Sequence, residues 1–100
     1  MNDIEDIFNN PSNLAGKTPD DMQNIIEDAC ASGHWEKGTL RRGSRRGMGM
    51  VLREVMPNGN YTGRMLQWHP GGGHHGSPPY WKVSSPATGT IRLGPQFKSD

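Results

Sequence analysis

The stretch MGMVLREVMPNGNYTGRMLQWH, residues 48–69, decides the fold. Two runs rich in strand-forming side chains flank Pro57-Asn58-Gly59-Asn60. An Asn-Gly pair accepts positive φ at low cost, so the stretch reads as an antiparallel hairpin with strands Met48 to Met56 and Tyr61 to His69. Towards the C-terminus, Pro70 and three glycines break the second strand, and Pro78-Pro79 postpone the next one to Tyr80. Tyr80 to Ser84, a turn at Ser85-Pro86-Ala87 and Thr88 to Leu93 continue the meander. Towards the N-terminus, His34 to Leu40 supplies a further strand, and before it the apolar period changes from two to that of a helix.

Met22, Ile25, Ile26 and Ala29 fall at i, i+3, i+4 and i+7 behind Thr18-Pro19-Asp20-Asp21. That tetrad places a capping hydroxyl, a proline at the first helical position and two acids in the first turn. A helix over about 18–32 follows, with Gly33 as its stop. Ile4, Ile7 and Phe8 predict a shorter helix over Asp3 to Phe8, closed by Asn9-Asn10-Pro11. The expected class is α+β: one or two N-terminal helices packed on a twisted antiparallel sheet of four or five strands. The expected organisation is a single domain over 1–100, with 1–17 a peripheral segment.

Length agrees, since 100 residues leave room for one domain and one small core. Only 31% of residues are apolar, yet three Trp, two Tyr and two Phe are large. Gly 14 and Pro 8 stay below the ~25–30% that signals disorder. No apolar run approaches the ~18 residues of a membrane span, and no signal-peptide pattern opens the chain. The single cysteine, Cys30, sits at an apolar helical position and is expected to be a buried structural thiol.

The net charge of +1 hides a division. Residues 1–36 hold one base, Lys17, against eight acids, a balance of −7; residues 37–100 hold ten bases against Glu54 and Asp100, a balance of +8. Four arginines, Arg41, Arg42, Arg45 and Arg46, are packed into RRGSRR. Such a block attracts a polyanion, and arginine's planar fork suits phosphate. The four are assigned to substrate docking, together with Arg92. Arg53 and Arg64 are assigned there too, with a salt bridge to Glu54 or to the acidic helix as the alternative.

Strand alternation sorts the C-terminal half by face. Leu66 and Trp68, Trp81 and Val83, and Ile91 and Leu93 should pack on the helix. The opposite face then collects Gln67, His69, Tyr80, Lys82, Ser84, Thr90 and Arg92, too polar for a core. At its end lies WHPGGGHHG, residues 68–76, with three of the four histidines; His34 reads as structural or as a helix-dipole partner. In one reading His69 and either His74 or His75 are acid and base in RNA cleavage, with Lys82 or an arginine stabilising the phosphate and Tyr80, Ser84 and Thr90 the neighbouring catalytic candidates. In a second the histidines chelate zinc, but no carboxylate occurs from Met56 to Ser99 to complete a zinc or magnesium site. In a third the loop is a structural glycine turn.

NPSNLAGKTPDDMQNII, GHWEKGTL, GSRRGMGMVLRE, YTGRMLQWHPGGGHHGSPPYWKVSS and GTIRLGP together resemble the C-terminal toxin domains of bacterial polymorphic toxin systems, of the contact-dependent inhibition and Rhs type. The resemblance covers residues 10–95 and is most specific in HPGGGHHG and PYWKVSS. Many such domains are similar to the barnase/EndoU/colicin/RelE (BECR) ribonuclease group. That resemblance implies an N-terminal helix before an antiparallel sheet whose concave face cleaves RNA without metal or other cofactor. It also implies delivery to the target-cell cytoplasm within a larger secreted effector, and a cognate immunity protein, for which charge favours the basic face with the acidic first third as the alternative docking surface. The barnase branch uses a glutamate base, and the basic half offers only Glu54, so histidine is expected in that role. A looser similarity to HicA-type RNA-binding toxins implies one catalytic histidine. The expectation is therefore a monomeric, metal-independent ribonuclease toxin without a membrane anchor, acting on tRNA or rRNA. The alternatives are a non-catalytic RNA-binding module, with Tyr61, Trp68 and Tyr80 stacking bases, and a metal-dependent nuclease toxin.

Overall fold

Pro57 to Asn60 turn the chain as the sequence requires, though Gly59 alone takes positive φ (89°). Asn58 contributes differently: its side-chain oxygen accepts from the Asn60 amide at 3.0 Å, while the Gly59 amide donates to the Met56 carbonyl at 2.8 Å. The structure, a computed structural model, describes residues 3–39, 49–70 and 79–93. Its helices are α1 (Ile4–Asn9), a 3-10 turn (Pro11–Leu14) and α2 (Gln23–Ala31). The strands are β1 (Trp35–Gly38), β2 (Met50–Val55), β3 (Tyr61–His69), β4 (Tyr80–Ser85) and β5 (Gly89–Leu93). They form one antiparallel meander in the order β1-β2-β3-β4-β5. The α+β architecture read from the sequence is thus the observed one.

Register assigns the faces. Leu52, Leu66, Val83 and Ile91 form one cross-strand row, and Met50, Trp68, Trp81 and Leu93 the next. Both point to the helices, where Ile26, Ala29 and Met22 from the α2 region meet Leu66, Trp81 and Val83 in one core. Trp81, Leu66 and Leu52 are fully buried, each worth about 1.5–3 kcal/mol in apolar burial. Trp81 also donates its indole N–H to the Lys17 carbonyl at 2.9 Å, and its ring meets Trp68 edge to face at 4.8 Å.

The capping tetrad behaves as its chemistry demands. Asp21 N–H donates to Thr18 Oγ1 at 3.3 Å and Thr18 N–H to Asp21 Oδ2 at 2.9 Å, a reciprocal capping box. The regular helix begins only at Gln23, because the first turn is irregular and Met22 N–H reaches both the Thr18 and Pro19 carbonyls. Gly33 takes φ 82° just past the helix, as its stop requires. Asp3 and Asp6 make a second capping box on α1.

The described part of the expected peripheral segment, residues 3–17, does not stand at the periphery. Ile7 and Leu14 are fully buried and Ile4 nearly so, all in the common core. The 3-10 turn lies beside β5 while α2 lies beside β1, so the N-terminal segment and α2 cover the sheet together. Cys30 is half-buried against the same core rather than enclosed by it.

Candidate functional site

The sheet face turned away from the helices carries three cross-strand rows. His69 lies opposite Tyr80, Gln67 opposite Lys82 and Lys82 opposite Arg92, and Ser84 lies between Met65 and Thr90. The His69 and Tyr80 rings stack at 4.9 Å between centroids and 12° between planes. The Ser84 and Thr90 hydroxyls are 3.1 Å apart. One imidazole, one phenol, one ammonium, one guanidinium and two hydroxyls thus share a surface that the sheet itself makes rigid. His69, Tyr80, Lys82 and Ser84 are half-buried, and Thr90 and Arg92 exposed. The polar set deduced from alternation stands on one face.

Further along that face the β2–β3 register shifts. Arg53 faces Met65 but Val55 faces Tyr61, so Glu54 alone stands opposite Thr62, Gly63 and Arg64. Gly63 takes φ 97° there, and a Cβ on it would come within 3.0 Å of Pro86. The Arg53 guanidinium lies 5.8 Å from the Tyr61 ring centroid, and the Tyr61 hydroxyl donates to Glu36 at 3.0 Å. This tie from β3 across to β1 escaped the sequence reading. Glu36 comes beside Tyr61 only through the β1–β2 and β2–β3 pairings, which no local pattern of residues announces.

Arg64, assigned from sequence to phosphate docking, has another task. Its Nε and one terminal nitrogen donate to Glu54 at 2.8 and 2.6 Å, and its two terminal nitrogens donate to Glu5 at 2.9 and 2.6 Å. The guanidinium lies over Phe8 at 4.7 Å and Trp35 at 5.3 Å. The bulge turns this side chain to the helix side, where it joins α1, β2 and β3. The structural alternative therefore holds for Arg64, and it leaves the docking set. Hydrogen bonds from Arg64 hold the Glu54 and Glu5 carboxyls below their usual range, and the two carboxylates raise the Arg64 pKa. Trp68, proposed as a base stacker in the binding-module reading, also faces the core, against Trp81.

Arg41, Arg42, Arg45, Arg46, His74 and His75 lie outside the described residues. Among the described residues, the bases of the open face are Arg53, Lys82 and Arg92, against one acid, Glu36. Asp3, Glu5, Asp6, Asp20, Asp21, Glu27 and Asp28 belong to the helical layer. The charge division along the chain becomes one across the sheet, and an anion approaching the open face meets a favourable field. Among the described residues no three His, Cys, Asp or Glu side chains gather as a metal site would need. None of their helices is long and apolar enough to cross a membrane. No family model, no curated protein and no solved structure matches this chain.

Proposed function

We propose that this chain is an endoribonuclease toxin that cleaves RNA by imidazole acid–base chemistry without a metal ion. The observation that carries the reading is His69 stacked on Tyr80, one cross-strand row from Lys82 and Arg92, on the face opposite the acidic helices. In the proposed reaction one imidazole nitrogen takes the proton of a ribose 2′-hydroxyl, and the freed oxygen attacks the adjacent phosphorus. The bond to the 5′-oxygen breaks, and a protonated imidazole returns a proton to that oxygen. The products are a 2′,3′-cyclic phosphate and a 5′-hydroxyl. Imidazole suits both roles because its ordinary pKa of ~6.5 lies near neutrality.

In this proposal Lys82 and Arg92 stabilise the extra negative charge on the five-coordinate phosphate. Tyr80 holds the His69 ring by stacking, and the paired hydroxyls of Ser84 and Thr90 offer hydrogen bonds to a sugar or phosphate oxygen. The second imidazole is assigned to His74 or His75 from their nearness in sequence. Delivery within a larger secreted effector, action in the cytoplasm of a neighbouring bacterium on tRNA or rRNA, and restraint by an immunity protein over the basic face complete the proposal. They rest on the resemblance of HPGGGHHG and PYWKVSS.

Incubation of the purified chain with total RNA in EDTA tests this reading. Discrete fragments ending in cyclic phosphate are expected. Intact RNA in the presence of folded protein overturns it. Salt-sensitive binding without cleavage would replace it with a binding module, which the half-exposed Tyr61 beside Arg53 favours.

A further inference from the structure

We infer that the recess at the β3 bulge is a subsite for one unpaired base of a single-stranded RNA, with Tyr61 as its stacking platform. This rests on the reading of the open face as an RNA surface. The recess encloses about 180 Å³ and is lined by Arg53, Tyr61, Gly63, Arg64 and Met65.

Tyr61 is 49% exposed, so about half of its surface is open to a ligand. Its hydroxyl is held by Glu36 at 3.0 Å, so the ring is fixed before a ligand arrives and loses little rotamer freedom on stacking. Arg53, at 5.8 Å from the ring centroid, sits at the outer edge of cation–π range. It can reach the phosphate attached to a stacked base. Gly63 gives the lining only backbone, and Met65 adds a polarisable floor. An aromatic platform, a cation and an apolar floor are what an unpaired base with its phosphate requires.

Position supports the assignment. Tyr61 and His69 stand at the two ends of β3, eight residues and at most about 26 Å apart. A strand of RNA laid along β3 can present one phosphodiester at His69 and a base several nucleotides away at Tyr61. Two other recesses border α2 and set Asp21 beside Lys17, or Asp20 and Glu27 beside Lys37, and neither is lined by an aromatic ring on which a base could stack.

The test uses a fluorescein-labelled 2′-O-methyl oligouridine, which cannot be cleaved, with binding followed by anisotropy at low salt. Tyr61→Ala is expected to weaken binding by about 5- to 150-fold. Tyr61→Phe keeps the ring and loses only the tie to Glu36, so it is expected to bind more weakly than the unaltered protein but much more tightly than Tyr61→Ala. Arg53→Gln should lower the salt dependence by about one phosphate contact. Equal binding by Tyr61→Ala overturns the subsite and leaves the RNA surface standing. Equal weakening in Tyr61→Phe and Tyr61→Ala, with unchanged melting, also overturns it, because the hydroxyl tie and not the ring is then what matters. No binding by the unaltered protein overturns the RNA reading and the base subsite with it.

Discussion

Replacing Arg64 with Met removes the guanidinium while keeping an apolar stem over Phe8 and Trp35. The Glu5 carboxylate is 55% exposed, so its pair with Arg64 is screened and contributes about 0.2–1 kcal/mol. Glu54 is only 19% exposed and accepts two charge-assisted bonds, worth about 1.5–3 kcal/mol together with the cost of leaving that carboxylate unpaired. The ring contacts add about 0.5–1 kcal/mol. Arg64→Met should therefore lose about 3 kcal/mol, a fall in Tm of about 12–24 °C for a domain of this size.

Urea unfolding at neutral pH, followed by tryptophan fluorescence, measures this loss. Repetition at lower pH checks its origin. Hydrogen bonds from Arg64 depress the folded-state pKa values of Glu54 and Glu5 from 4.5. Their contribution is present above that value and disappears as pH falls through the lower folded values. The unaltered protein should lose stability below about pH 4.5, where Arg64→Met should show a flatter profile. A loss under about 0.5 kcal/mol, or parallel acid profiles, would refute the assignment of Arg64 as the bolt between α1 and the sheet.

Gly63→Ala should cost about 1–3 kcal/mol, read by thermal denaturation, because a Cβ at φ 97° also meets Pro86 at 3.0 Å; unchanged melting would contradict a bulge locked by that contact. Trp81→Phe should cost about 2–4 kcal/mol by equilibrium unfolding, since it removes the bond to the Lys17 carbonyl and leaves space in a fully buried position. Lys82→Ala and Arg92→Ala should each lower the slope of log affinity against log salt by about one unit on an uncleavable RNA while melting stays near that of the parent protein. Unaltered slopes would remove these two side chains from the phosphate path.

The elements most legible in the sequence were those with local causes. Pro57 to Asn60 fix a hairpin, Thr18 and Asp21 cap one another within four residues, and β4 starts at Tyr80, directly after Pro79. Period-two alternation then placed His69, Tyr80, Lys82, Ser84, Thr90 and Arg92 on one face, because β3, β4 and β5 run without a register shift between them. What local reasoning missed depends on distant partners. Arg64 reaches Glu5, 59 positions away, only because the bulge at Thr62 to Arg64 turns it to the helix side. Ile7 and Leu14 looked peripheral because their segment is short and polar, yet both are fully buried in the core that α2 shares with the sheet.

The central claim is that the His69 imidazole transfers protons during RNA cleavage. Its most direct test is the initial rate at which the unaltered protein and His69→Ala cut one short RNA in EDTA, with Tm measured alongside. Loss of a general acid or base should slow cleavage by about 10²–10⁴-fold while Tm stays near its parent value. A folded His69→Ala protein that cuts within about tenfold of the parent rate would contradict the claim.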